Sequence, residues 1–167
     1  MNLKRTVAFI TVLVLMLSLC ACSGIYDQEF TKDGFYIELT SEFSEKAYKN
    51  YEAAYESKYI LVLVIKEEFN NGPENAKDMS LDEYAQLMLL NCSKEGHYPS
   101  EIKRTEGVTH FVYGYNDKET GNSHKYFTAV YKGKDAFWTV QFATESEDYE
   151  LFKDKILRYA KTVNVSE

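Results

Sequence analysis

Thiols, imidazoles and paired carboxylates are the side chains of this chain that could do chemistry, and their spacing decides which chemistry is open. Three cysteines and three histidines occur in 167 residues. Cys20 and Cys22 stand together near the N-terminus, and Cys92 stands apart from both. No pair among His97, His110, His124 and Cys92 shows the His-x3-His or Cys-x2-Cys spacing that turns two ligands toward one metal ion, so no metal ligand is assigned. His110 and His124 fall on successive strand-like stretches, where they could face each other across a hairpin. Nucleophilic catalysis lacks its sequence context: there is no Gly-x-Ser-x-Gly elbow, and Cys92 has no Cys-Gly-x-Cys surroundings. Glu67 and Glu68 are adjacent on a strand-like run, and adjacent strand residues point to opposite faces, so they do not make a glycosidase pair. The acidic run from Glu145 to Asp148 reads as a solvated helix start that favours the helix dipole. Asn71-Gly72-Pro73 is a turn, and no glycine-rich phosphate loop exists. No catalytic residue and no cofactor is expected.

Cys22 has a different context. Lys4 and Arg5 open the chain, and residues 6–19 form an apolar run of the length of an export-signal core, short for a membrane-spanning helix. Leu19-Cys20-Ala21-Cys22-Ser23-Gly24 follows. This resembles the lipobox of bacterial prolipoproteins, with aliphatic Leu19 at −3, small Ala21 at −1 and Cys22 at +1. Cys20 is the rival, but it would put Leu19 at the cleavage position, where it is too bulky. The resemblance implies removal of residues 1–21, a diacylglyceryl group on the Cys22 sulfur, and a freed amine open to further acylation. Two or more acyl chains hold stably where one is marginal, each buried methylene adding about 0.8 kcal/mol. The mature protein would be extracytoplasmic and anchored to membrane lipid. No aspartate follows Cys22, so an outer membrane is open to it if the cell has two membranes. Lipidation also consumes that sulfur, which leaves no partner for a disulfide with Cys92. Cys92 falls on an apolar helix face and reads as a small core hydrophobe.

The elements that must position these groups follow from periodicity. The formal charge of −7, made more acidic by loss of Lys4 and Arg5, speaks against nucleic acid as a partner. Residues 22–32 read as the lipidated cysteine and a short polar tether, and residues 33–167 as a single domain. Residues 35–40 alternate Phe35, Ile37 and Leu39 to one face as a strand. Residues 41–57 fit either a helix behind a Ser41 cap or, as favoured here, a strand at 51–56 that pairs through a Ser57-Lys58 turn. Residues 59–69 are a strand apolar on both faces, which places it mid-sheet. Ser80 and Glu83 form a capping box for a helix carrying Leu81, Ala85, Met88, Leu89 and Cys92, ended by Gly96. Short strands follow at 101–105, 108–115, 124–131 and 136–143. A second amphipathic helix at 146–161 buries Tyr149, Phe152, Ile156, Leu157 and Ala160. Strands, helix, strands, helix with hairpin connections define an α+β fold, an antiparallel sheet packed by helices.

The stretches FYIELTSEF (35–43), VIKEEF (64–69), SLDEYA (80–85), AFWTVQF (136–142) and AKTV (160–163) resemble the PsbP-like fold. This α/β/α sandwich is shared by a photosystem II extrinsic subunit, a Ran-GTPase-binding nuclear protein and many bacterial lipoproteins, the DcrB family among them. The resemblance runs over residues 34–165. Ser41 departs from it, since members often carry proline in the turn after the first strand. It implies a fold and a habit of docking to other proteins, and it carries no catalytic residues.

Fourteen tyrosines and ten phenylalanines are an unusual load. Alternating aromatics can fill both faces of a sheet between helices. They can also present a recognition surface, for which Tyr113, Tyr115, Tyr126 and Tyr131 are the candidates. The reading that follows is a membrane-anchored, non-enzymatic protein-binding or adaptor module of the cell envelope, whose partner is another envelope protein. A small-ligand-binding lipoprotein serving a transporter is the alternative, and would need an aromatic-lined cavity. An envelope hydrolase comes third, and would need titratable groups converging in a cleft.

Overall fold

The computed structural model describes residues 24–117 and 120–166; the run read as an export signal (1–21) and Cys22 lie outside the described residues. The chain opens with strand β1 (Asp27–Lys32), which pairs antiparallel with β2 (Phe35–Thr40). Only Asp33 and Gly34 separate them, both at positive φ (44° and 88°). This is the left-handed two-residue turn whose twist matches a hairpin, and Asp-Gly is the sequence suited to it. The tether expected at residues 22–32 is therefore corrected: from Asp27 onward it is a strand. Its mostly exposed residues hide its periodicity, and what orders it is the backbone ladder to β2.

Strands β3 (Ser44–Lys46), β4 (Ala53–Glu56) and β5 (Leu61–Glu68) come next. Residues 53–56 resolve the helix-or-strand question as strand. Ala54 pairs with Leu63 and Tyr55 with Val62, because the doubly apolar β5 needs a neighbour on this side. A 3-10 turn at Phe69–Asn71 leads to helix α1 (Leu81–Lys94). The capping box is formed as expected: Ser80 Oγ accepts from the Glu83 amide, and the Glu83 carboxylate accepts from the Ser80 amide.

Strands β6 (Lys103–Thr105), β7 (Val108–Asn116), β8 (Ser123–Lys132) and β9 (Ala136–Glu145) form a meander before helix α2 (Tyr149–Thr162) and a two-residue strand, β10 (Asn164–Val165). Two sheets result. Seven strands run in the order β3-β4-β5-β9-β8-β7-β6, and three in the order β1-β2-β10. Helix α1 packs over β7 and β8 on one face of the large sheet. The small sheet and α2 cover the other, where Phe35, Ile37 and Leu39 of β2 meet Val62, Val64, Trp138, Val140, Phe142 and Ile156. The fold is α+β, as the periodicity predicts. The expectation of one sheet is enlarged to two, with β10 too short to show a period.

Gly34 ties the small sheet together. The Ser166 amide donates to Gly34 O at 2.8 Å, and a Cβ at Gly34 would sit 2.4 Å from Ser166 Oγ. Gly34→Ala should therefore destabilise the fold by about 1 kcal/mol or more, from the positive φ and the crowding together. Chemical denaturation of the two proteins checks this.

Candidate functional site

Two places on the α1 side of the large sheet combine a built floor with open access. The first is an aromatic corner. Helix α1 ends in a Schellman motif: the Gly96 amide donates to Ser93 O and the His97 amide to Cys92 O. Gly96 supplies the required φ of 85°. The reversal lays His97 across the end of β7, with its ring centroid 5.2 Å from that of Tyr113 and 5.5 Å from that of Tyr115. Beneath it, Tyr113 and Tyr126 stack in parallel across the β7–β8 pair, 4.9 Å apart. Gln141 Nε2 donates to the Tyr113 hydroxyl at 3.2 Å. Burial holds the Tyr113 and Tyr126 phenols above their ordinary range, so both are neutral hydroxyls. Tyr98 projects from this base and is 92% exposed.

Beside the corner runs an open stretch of strand edge. On its outer side β7 is paired by β6 from Val108 to His110, and Ser100 then exchanges bonds with Val112 through its own amide and hydroxyl. The alternation of an antiparallel ladder turns the Gly114 N–H and C=O to the same outer side. No described strand covers them. Glu95, His97, Tyr98, Tyr115, Asn116 and Asp117 surround this gap.

The second place is a cleft of about 460 Å³ between the end of β5, the 72–79 loop and α1. Its floor is Phe137 with the Tyr84 ring parallel to it at 4.1 Å. The buried Tyr84 hydroxyl donates to the Glu67 carboxylate and lies 3.0 Å from Thr139 Oγ1. Lys132 Nζ pins the loop by donating to Lys77 O at 2.8 Å and Met79 O at 2.7 Å. Glu67 and Glu68 both line the cleft, although a regular strand would part them. Glu68 is the last residue of β5, still extended and paired with Ala136, and the 3-10 turn begins after it at Phe69. The two carboxylates have separate duties: Glu67 accepts from Tyr84, and Glu68 accepts from Asn71 Nδ2 at 3.3 Å.

The four tyrosines singled out by sequence do not make one surface. Tyr113, Tyr115 and Tyr126 come together, with Tyr113 buried beneath the others. Tyr131 has the opposite parity from Tyr113's partner Tyr126, so it lies under α2 and donates to Ala160 O at 2.6 Å. His110 and His124 are also apart: His110 pairs with Ala129, and His124 with Tyr115. Cys92 is buried against Phe111 and Tyr113, and burial raises its thiol, as expected of a core cysteine. Among the described residues no three His, Cys, Asp or Glu side chains could share a metal ion. Tyr98 and Tyr84 were missed by sequence reasoning. Tyr98 sits between Gly96 and Pro99, where no helix or strand face exists to bury it, and that signal was legible. Tyr84 shares the Leu81, Ala85 and Met88 stripe, but its hydroxyl partners come from two distant strands.

These layers define a PsbP-like α+β fold. No protein-family profile matches the chain, and no curated protein matches it in sequence. Solved structures match in shape. Cyanobacterial PsbP (CyanoP) of Synechocystis sp. PCC 6803 has a TM-score of 0.54 at 14% identity, over 87% of this chain and 97% of that one. A protein of Bacteroides thetaiotaomicron VPI-5482 has a TM-score of 0.53 at 10% identity, over 84% of this chain and 48% of that one. LpqN, described as involved in cell envelope biogenesis of Mycobacterium tuberculosis, has a TM-score of 0.50 at 10% identity, over 87% and 93%. Likeness at such identities establishes the fold.

His110 is buried on the α2 side, stacked on Phe127 at 4.3 Å, with Nε2 bonded to Thr105 Oγ1 and Nδ1 unpartnered. Burial, helped by Lys103 opposite, lowers its pKa below the ordinary 6.5. The unfolded chain therefore takes up the proton first. The stability that neutral His110 contributes is whole above pH 6.5 and falls as pH drops toward the lowered folded value. Denaturation at pH 7.5 and pH 5 should show a larger acid loss in the native protein than in His110→Gln. Equal losses would assign the acid sensitivity elsewhere.

Proposed function

We propose that this protein is a membrane-anchored module of the cell envelope that binds another envelope protein and performs no chemistry of its own. The lipobox-like run ending in Cys22 supports extracytoplasmic anchoring. No described helix is long and apolar enough to cross a membrane. The PsbP-like fold is shared with a protein described as serving cell envelope biogenesis.

The observation that carries the binding role is the aromatic corner. Tyr98 and Tyr115 offer large amphipathic rings at little entropic cost, beside a base of stacked tyrosines, Tyr113 and Tyr126, with Tyr113 held by Gln141. The adjoining open edge at Gly114 offers a backbone donor and acceptor to an extended segment of the partner. Photo-crosslinking residues placed at Tyr98 and Tyr115 in intact membranes should capture the same envelope protein, and one at Lys134 should not. Capture that is absent, or equal at all three positions, would sink this reading. Anchoring is checked separately: Cys22→Ala should abolish fatty-acid labelling and release the protein, and undiminished labelling would overturn the lipobox assignment.

The cleft beneath α1 favours a second reading, a small-ligand-binding lipoprotein serving a transporter. Its size suits a small molecule, and Phe137, Tyr84, Met79 and Met88 offer it an apolar wall. Native mass spectrometry of the protein released from its own membranes should then show a bound small molecule. That molecule should be lost in Tyr84→Trp, which fills the cleft.

A further inference from the structure

We infer that one end of this fold lies on the bilayer, with Ile25, Tyr26, Tyr59 and Leu151 seated in the interfacial layer. The inference rests on the anchored reading above and adds an orientation to it. Large hydrophobic side chains left exposed by the fold are few, and single ones need no explanation. These four are 63%, 64%, 45% and 75% exposed, and they converge.

Their convergence follows from the contacts between their elements. Tyr26 is bonded to Ser41, just past the end of β2, through its amide to Ser41 Oγ and its carbonyl to the Ser41 amide. The next residues of both strands reach α2: Glu42 pairs with Lys155 at 3.0 Å, and Asp27 with Arg158 at 3.4 Å. Leu151 lies one helical turn before Lys155. Phe152, beside it, stacks on Tyr59 at 5.3 Å. The start of β1, the β4–β5 turn and the first turn of α2 thus form one rim. Leu90, Tyr98 and Tyr115 project instead from the α1 side of the large sheet, and Tyr48 stands apart in the loop between β3 and β4.

The bilayer is the occupant because of where the chain leaves the rim. Two residues, Ser23 and Gly24, separate Cys22 from Ile25, a span of at most about 11 Å over three Cα–Cα steps even when extended. A lipid inserted through Cys22 would therefore hold Ile25 and Tyr26 at head-group depth, and the same rim carries the other two side chains. Tyrosine rings are at home in that layer, with one apolar side and one hydrated end. Asp27, Glu42 and Glu150 pair with Arg158, Lys155 and Lys153, while Glu145, Glu147 and Asp148 keep the start of α2 acidic, so charge does not draw this rim to an anionic surface. Lys58, with Nζ 4.8 Å from the Tyr59 ring centroid, can direct its ammonium to phosphate. The attraction is therefore chiefly apolar, and it operates on a zwitterionic bilayer.

Hydroxyl-radical footprinting of the full-length lipidated protein in phosphatidylcholine vesicles, against soluble Cys22→Ala, tests the orientation without a label. Oxidation at Tyr26, Tyr59 and Leu151 should fall several-fold on the vesicles, while Tyr98 keeps its rate and serves as the internal standard. Leu151→Glu, a change at an exposed position, should still float with vesicles but regain oxidation at Tyr59. A protein that floats yet shows equal rates at all these residues, or protection at Tyr98 instead, overturns the orientation and leaves the anchor standing. A lipidated chain that does not float overturns both.

Discussion

A sheet whose central strands are apolar on both faces must be covered on both faces, and the rest of this structure answers that demand. Along β9 every residue except Gln141 and Glu145 is buried. Its neighbour β5 is buried in the same way through Val62, Leu63 and Val64. No edge position or single helix could satisfy such strands. One face takes α2 and the β1-β2-β10 sheet, whose Phe35, Ile37 and Leu39 complete the main core. The other takes α1, which closes over two smaller clusters centred on Tyr84–Phe137 and on Cys92–Phe111–Tyr113.

The two covers differ in extent, and the candidate surfaces arise from that difference. One helix fits across β7 and β8 but cannot span seven strands. The gap beside it becomes the cleft walled by Tyr84, Phe137 and the pinned 72–79 loop. Where α1 stops, its C-terminal reversal leaves Tyr98 and Tyr115 in solvent over a tyrosine base that is already packed. Recognition surfaces of this kind cost the fold little, because the buried rings beneath them stabilise it whether or not a partner is present.

The small sheet has a further consequence. Its first strand is the segment that follows the cleavage-like site, and it is paired from Asp27 onward. A chain held at Cys22 would therefore have only a few residues of slack, and the fold would inherit an orientation at the membrane. Shape similarity to CyanoP and LpqN at 10–14% identity shows how little of the fold depends on particular side chains.

Periodicity by itself determined the two helices, the capping box, the mid-sheet placement of β5 and the meander, because each is a local pattern of apolar spacing with its own stop signals. The resemblance of residues 19–24 to a lipobox is likewise a matter of adjacent residue types, and lipidation at Cys22 stays an expectation of that resemblance. Tertiary structure decided what depends on partners distant in the chain. Residues 27–32 carry no apolar period and became a strand only through β2. Residues 53–56 became strand because β5 required a neighbour. Tyr113, Tyr115 and Tyr126 were separated from Tyr131 by strand parity, and His110 from His124 by register. The Tyr84–Glu67–Thr139 contact joins a helix to two strands far away in sequence, and the convergence of Ile25, Tyr26, Tyr59 and Leu151 on one rim comes from three separate elements. No local signal encodes such meetings, since they exist only once the sheet has closed.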